Sequence, residues 1–149
     1  MLRFSDGRIF ATGKAGYQYR PVSQQDDNRI LLQVRIDDLP LLAVVDTGSP
    51  YVIIQPAYAR LMSLDSSPAL DEKRLRIRGN LFRGSLHRLP LLIPAVEGES
   101  MQLEVTAFVP QTDEETWGDL PSFLGMMGCL ERLRFAVDPQ GDVFYFGAI

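Results

Sequence analysis

Hydrophobic positions along this 149-residue chain fall into short runs separated by turn residues, a rhythm of strands more than of long helices. Ile30-Leu31-Leu32-Gln33-Val34-Arg35-Ile36 is rich in strand formers and ends at Asp37-Asp38, a turn signal; Leu41–Val45 then returns as a second strand. Tyr51–Ile54 is a third such run, and Pro56–Met62 predicts a short helix opened by a proline near its first position. From Lys73 to Arg78, Leu75 and Ile77 alternate with arginines, the period of a strand with one wet face. The stretch from Gly79 to Gly84 reads as a hairpin tip and Ser85–Ile93 as the returning strand, with Pro90 and Pro94 confining it to an edge or an early end. Met101–Val109 predicts another strand, and Gln111–Pro121 a polar, acidic loop holding Trp117. Met126–Leu133 has helical content with Gly128 as a weak spot, and Arg134–Val137 with Val143–Phe146 predicts a closing hairpin. Residues up to Asn28 read as a polar lead-in with a short strand at Arg8–Ala11. The sum is a mainly β chain, a small barrel or sandwich, without internal repeats.

Composition narrows this picture. A hydrophobic share of 46% over 149 residues supports one core and not two ordinary domains. The net charge of -4 argues against a general nucleic-acid binder. Cys129 is the only cysteine and His87 the only histidine. Intrachain disulfides, cysteine-rich or His-pair metal sites are thereby excluded, and a Ser-His-Asp triad would hang on one residue. Met1–Arg20 lacks the apolar stretch of a secretory signal, and no run approaches the roughly 18 apolar residues of a spanning helix. The expectation is a soluble, cytoplasmic domain with no membrane partner.

Within that frame, one segment carries candidate chemistry. Leu41-Leu42-Ala43-Val44-Val45 delivers Asp46 to the turn Asp46-Thr47-Gly48-Ser49. A carboxylate set against an apolar run is costly unless it is paired, hydrogen-bonded or used. Gly48 permits a tight turn, Thr47 can stiffen it, and Ser49 can hydrogen-bond the carboxylate from below. A rigidly held carboxylate suits general acid–base work. An ordinary Asx turn at a strand end has the same four residues, so the turn alone leaves both readings open.

A second segment adds weight. Ser122-Phe123-Leu124-Gly125 is an apolar pair and a glycine, and Met126–Phe135 follows as a helical turn and a strand. Together with the Asp46–Ser49 turn and the intervening hairpin, this order resembles the retropepsin-like aspartic proteases, single-domain relatives of pepsin, over about Ile30–Phe146. The resemblance implies a small closed β-barrel of the acid-protease type with a flap hairpin and one short C-terminal helix. It divides the chain into residues 1–28, an N-terminal extension or interface segment, and 29–149, the protease domain. It also implies an aspartic endopeptidase whose site needs two aspartates sharing a proton across a two-fold axis, with neither metal nor cofactor. Only one Asp-Thr-Gly exists here, so the partner would be a second copy of the chain, each subunit supplying Asp46. Thr47 would reach the partner's backbone, and a peptide or protein would be the substrate.

By the same resemblance, Lys73–Ile93 stands where the family has its flap, with Gly79, Asn80, Leu81, Phe82 and Gly84 as substrate contacts. Trp117, Leu120 and Pro121 fall where it has a substrate-lining loop; Trp117 reads equally as a pocket wall or a partly exposed aromatic. Pro50, Leu124, Gly125 and Met126 would shape the site. Retroviral members carry an Asp and an Arg, as an ion pair, where this chain has Pro50 and Met126. Loss of both partners together is tolerable if apolar groups pack in their place, so Pro50 and Met126 are expected in contact. Pro50 also lacks the N–H that the family offers to bound peptide. A dimerisation or peptide-binding module with little or no proteolysis is therefore the alternative. Lys73–Arg88 holds six Lys/Arg and no acid. This segment reads first as a solvated face that includes His87, and second as a basic cover favouring acidic substrates or the partner's Asp113-Glu114-Glu115 loop. Cys129 reads as core.

Overall fold

The structure is a computed structural model describing residues Met1–Ile149. Strands dominate it. They are β1 (Gly13–Arg20), β2 (Arg29–Ile36), β3 (Leu39–Val45), β4 (Val52–Ile53), β5 (Asp71–Ile77), β6 (Asn80–Ile93), β7 (Glu97–Gly98), β8 (Met101–Pro110), β9 (Ser122–Leu124), β10 (Leu133–Asp138) and β11 (Val143–Ala148). Helix is confined to α1 (Pro56–Leu61), α2 (Glu114–Trp117) and two 3-10 turns.

The strands form one mixed sheet in the order β10-β11-β1-β2-β3-β9-β4-β8-β6-β5, with β7 beside β1. The expected closed barrel is not what forms: the path has free ends at β10 and β5. β2 and β6 also meet, but only through Arg35↔Leu92 and Ile36↔Leu91. Chain direction limits that seam. Asp37 and Asp38, at φ 47° and 65°, turn β2 away directly after Ile36, and Pro94 ends β6. The outer strand β5 exposes Glu72, Lys73, Arg74 and Arg76, charges that discourage further pairing at an edge.

The expected short C-terminal helix is absent as well. Gly128 sits at φ 71°, a left-handed value that interrupts a helical path, and only Leu130–Arg132 closes a 3-10 turn. Conversely, the expected Gln111–Pro121 loop contains α2, capped by the Asp113 side chain accepting from Thr116 N–H at 2.6 Å. The N-terminal strand is β1 and not Arg8–Ala11, where Ile9 makes only an isolated bridge to Arg3. β1 lies between β11 and β2, with Ala15 and Tyr17 turned into the core.

Alternation assigns the core to two layers. In β2 and β3, Leu32, Val34, Ile36, Leu41 and Ala43 face the main cluster, which includes Phe144 and Phe146. Leu31 and Val44 face a second cluster built on Phe82, Phe108, Trp117 and Phe123. The second face is covered only around Leu31, Leu42 and Val44; Gln33, Arg35 and Pro40 on that side are exposed, so β2 alternates toward its end while Leu41–Val45 reads as a nearly continuous apolar run.

Candidate active site

β3 and β9 run parallel, with Val45 opposite Leu124, and Asp46 N–H extends this ladder by donating to Leu124 O at 3.0 Å. The chain then reverses: Ser49 N–H donates to Asp46 O at 3.1 Å, and Gly48 N–H donates to Asp46 Oδ1 at 2.9 Å. A Cβ on residue 48 would stand 3.2 Å from that oxygen, so glycine gives the carboxylate its close approach to the backbone. The Asx turn therefore forms, engaging one carboxylate oxygen. Ser49 differs from expectation: its Oγ donates to Tyr51 O at 2.9 Å and fastens the exit of the turn instead of supporting the carboxylate.

Gly125 locks the turn to the following segment. Met126 N–H donates to Ser49 O and Met127 N–H to Pro50 O, each at 2.8 Å, so the Pro50 and Met126 segments run side by side. A Cβ at Gly125 would fall 2.2 Å from Tyr51 O and 2.7 Å from Ser49 O, and only glycine fits against this segment. Leu124 is buried beneath, and Met126 is half-buried against the main core.

Asp46 opens onto a cleft of about 310 Å³. Gly48, Ser49 and Pro50 share its lining, with Val44, Ile53 and Phe123 as apolar wall. Thr47 is exposed beside them. The β5–β6 hairpin contributes Leu75, Arg76, Ile77 and Arg78, and β2 contributes Arg29. The hairpin turn is shorter than the expected tip: Arg78 and Gly79, at φ 48° and 86°, make a two-residue turn between paired Ile77 and Asn80. Asn80, Leu81, Phe82 and Gly84 accordingly lie within β6. None of them, nor Gly79, lines the cleft; Leu81 is exposed, while Phe82 is buried with its ring 5.1 Å from that of Trp117.

Trp117 is neither cleft wall nor exposed aromatic. It is buried, and its Nε1–H donates to Leu120 O at 2.6 Å. Leu120 packs half-buried on the same cluster and Pro121 is buried.

Sequence reasoning missed the residues that hold the hairpin over the cleft. Arg78 Nη2 donates to Asp26 Oδ2 at 3.0 Å, Arg29 Nη2 donates to Asp26 Oδ1 at 3.2 Å, and the Arg78 guanidinium lies 5.8 Å from the Phe123 ring centroid. The Asp26 side chain is only 7% exposed. Burial alone would raise its carboxyl, but the hydrogen bonds from Arg29 and Arg78 outweigh this and hold it below its ordinary value. Asp26 and Arg78 are 52 positions apart, a separation without local signal; the Arg78-Gly79 turn was findable from its glycine.

The remaining chemistry-bearing residues lie elsewhere. His87, expected on the wet face, is 5% exposed, with Nε2 2.8 Å from Ser85 Oγ. Burial pushes its pKa down against an opposing pull from Glu72. Cys129 is core, its thiol pushed up to about 12 by burial. No three His, Cys, Asp or Glu side chains converge in a metal-ligand cluster.

No family model matches the chain. Among solved structures it is similar to a retropepsin-like aspartic protease from Rickettsia conorii, at 20% identity and a TM-score of 0.52, over 92% of this chain and 94% of that one. At that identity the likeness is one of fold.

Proposed function

We propose that the chain is an aspartic endopeptidase acting as a homodimer, with Asp46 of each subunit forming the catalytic pair. The observation that carries this reading is the Asp46 carboxylate, anchored through Oδ1 to the Gly48 N–H on the lining of a cleft covered by the β5–β6 hairpin. The anchoring fixes geometry, the first requirement of proton transfer. The fold likeness to a protease of this type supports it.

In this mechanism the two carboxylates share one proton, because like charges so close resist joint ionisation. A water between them gives a proton to the ionised carboxylate as its oxygen adds to the scissile carbonyl carbon. The protonated carboxyl donates to the carbonyl oxygen. Collapse breaks the C–N bond, and the proton passes to the departing amine nitrogen. The exposed Thr47 would steady the pair through the partner's backbone.

The test is cleavage of a peptide library by wild type and by Asp46→Asn, followed by mixing. Wild type should cleave and the variant should not. Excess Asp46→Asn should suppress wild-type activity as mixed dimers form; activity indifferent to the mixing refutes the shared site. Pro50 favours a second reading, a peptide-binding module, since it lines the cleft without an N–H to offer. Wild type that binds library peptides and cleaves none establishes that reading instead.

A further inference from the structure

The β5–β6 hairpin outruns its neighbour. β8 pairs with β6 only from Ile93 back to Gly84, and Gln111 N–H donating to Arg83 O adds one bond more. Beyond that point Leu75–Ile77 and Asn80–Phe82 pair only with each other. A two-stranded ribbon is marginal in water, so this tip depends on what it rests on and what ties it down. Its inner face rests on the second cluster through Leu75, Ile77 and Phe82. Its turn is tied once: the bond from Arg78 Nη2 to Asp26 Oδ2 is the only hydrogen bond from Arg78-Gly79 to a residue outside the hairpin. Asp26 is placed to receive it. Its loop joins β1 to β2 beyond the Arg20↔Arg29 pair, and Val22 packs that loop on the second cluster. Oδ1 accepts from Asp27 N–H at 2.9 Å and from Arg29. Arg29 from β2 and Arg78 from the hairpin both line the cleft, so the bridge through Asp26 joins two of its walls.

We propose that Asp26 is a latch: it holds the hairpin tip down over the cleft, and access to Asp46 is governed by how often the Arg78–Asp26 contact opens. Asp26 is a positioning residue, acting through Arg78 and touching no ligand itself. The latch stands apart from the protease reading; only its effect on peptide entry rests on that reading.

Thiol labelling tests the latch without any peptide. Val44 lines the cleft and is 3% exposed, so Val44→Cys supplies a thiol that a bulky reagent reaches when the tip lifts; Ile53→Cys is a second reporter on the same wall. Cys129, wholly buried in the main core, is the internal control, because its labelling needs wider unfolding. Labelling with fluorescein maleimide, resolved by mass spectrometry, should run about fivefold faster at position 44 once Asp26→Asn is added, with Cys129 unchanged; that is the step expected of a partly exposed charged pair. Arg78→Gln should give the same step, Arg78→Lys a smaller one, and Asp26→Asn combined with Arg78→Gln no more than either alone. In a second assay, fluorescein-labelled library peptides should both bind and leave Asp46→Asn faster when Asp26→Asn is present. Unchanged labelling at position 44, equal acceleration at Cys129, or effects of the two substitutions that simply multiply would each overturn the latch. Faster labelling with unchanged peptide rates overturns its role in access. Faster labelling in a protein that binds no peptide upholds the latch and removes the peptide reading instead.

Discussion

Replacing Gly125 with alanine adds one methyl group where the structure has no space. The new Cβ would lie 2.2 Å from Tyr51 O, 2.6 Å from Tyr51 C and 2.7 Å from Ser49 O, and all three obstacles are backbone. No side chain can swing aside, so the Ser49–Tyr51 segment must move by roughly 1 Å to reach ordinary contact. Overpacking of this kind costs about 1–3 kcal/mol. The shift also strains Met126 N–H to Ser49 O and Met127 N–H to Pro50 O, both 2.8 Å, each contributing about 1 kcal/mol. The expected loss is about 3–5 kcal/mol, a large part of the roughly 5–15 kcal/mol holding such a domain together. Urea unfolding followed by Trp117 fluorescence measures it, because that single tryptophan is buried. Gly16→Ala is the control: it has nothing within 4 Å and no positive φ, so its midpoint should stay within about 0.5 kcal/mol of wild type. A loss under about 1 kcal/mol for Gly125→Ala would refute the reasoning, since the backbone there would then be yielding.

Asp26→Asn removes the carboxylate shared by Arg29 and Arg78, and hydrogen exchange at the Arg78-Gly79 turn should quicken by roughly fivefold, the equivalent of about 1 kcal/mol for ion pairs whose arginines remain partly exposed. Because the folded carboxyl is held below its ordinary 3.8, its contribution is complete above that pH and is lost as pH falls through the folded value; unchanged exchange would show that the pair does not restrain the hairpin. His87 titrates with the same sense from a higher starting point. Its folded pKa is depressed below 6.5, so its stabilising contribution is whole above that pH and drains away as acid is added below it. Unfolding midpoints should fall from pH 7 to pH 5 in wild type and fall less in His87→Gln; parallel curves would refute the assignment.

The parts of the fold that were legible in the chain are those where local chemistry and burial agree. β2 and β3 could be read from their runs of strand formers, whose alternate residues fill the main core, and α1 from Pro56 at its start. β1 escaped notice because its inward positions begin with Gly13 and Ala15, too small to mark a core face, although the every-second-residue pattern through Tyr17 was present. The helix expected after Gly125 failed on one dihedral, the left-handed Gly128, and closure of the sheet failed on where β2 and β6 diverge. Sheet closure depends on long-range register, and composition carries little of that.

The site divides along the same line. Asp46 and Gly48 were visible because their constraint is short-range, an N–H two residues on, while Gly125 was visible only as part of the apolar-apolar-Gly pattern, the backbone it presses on being that of Ser49 and Tyr51. The cover was not visible, because it depends on one carboxylate in the Pro21–Asn28 loop meeting an arginine 52 positions later. That difference bears on chemistry. The Asp46 carboxylate is held by backbone alone, so side-chain substitutions around the cleft can alter what binds without moving it. Arg78 and Arg29 occupy such positions, and both are committed to Asp26. A change at Asp26 should therefore act on how the hairpin covers the cleft and least on the position of Asp46.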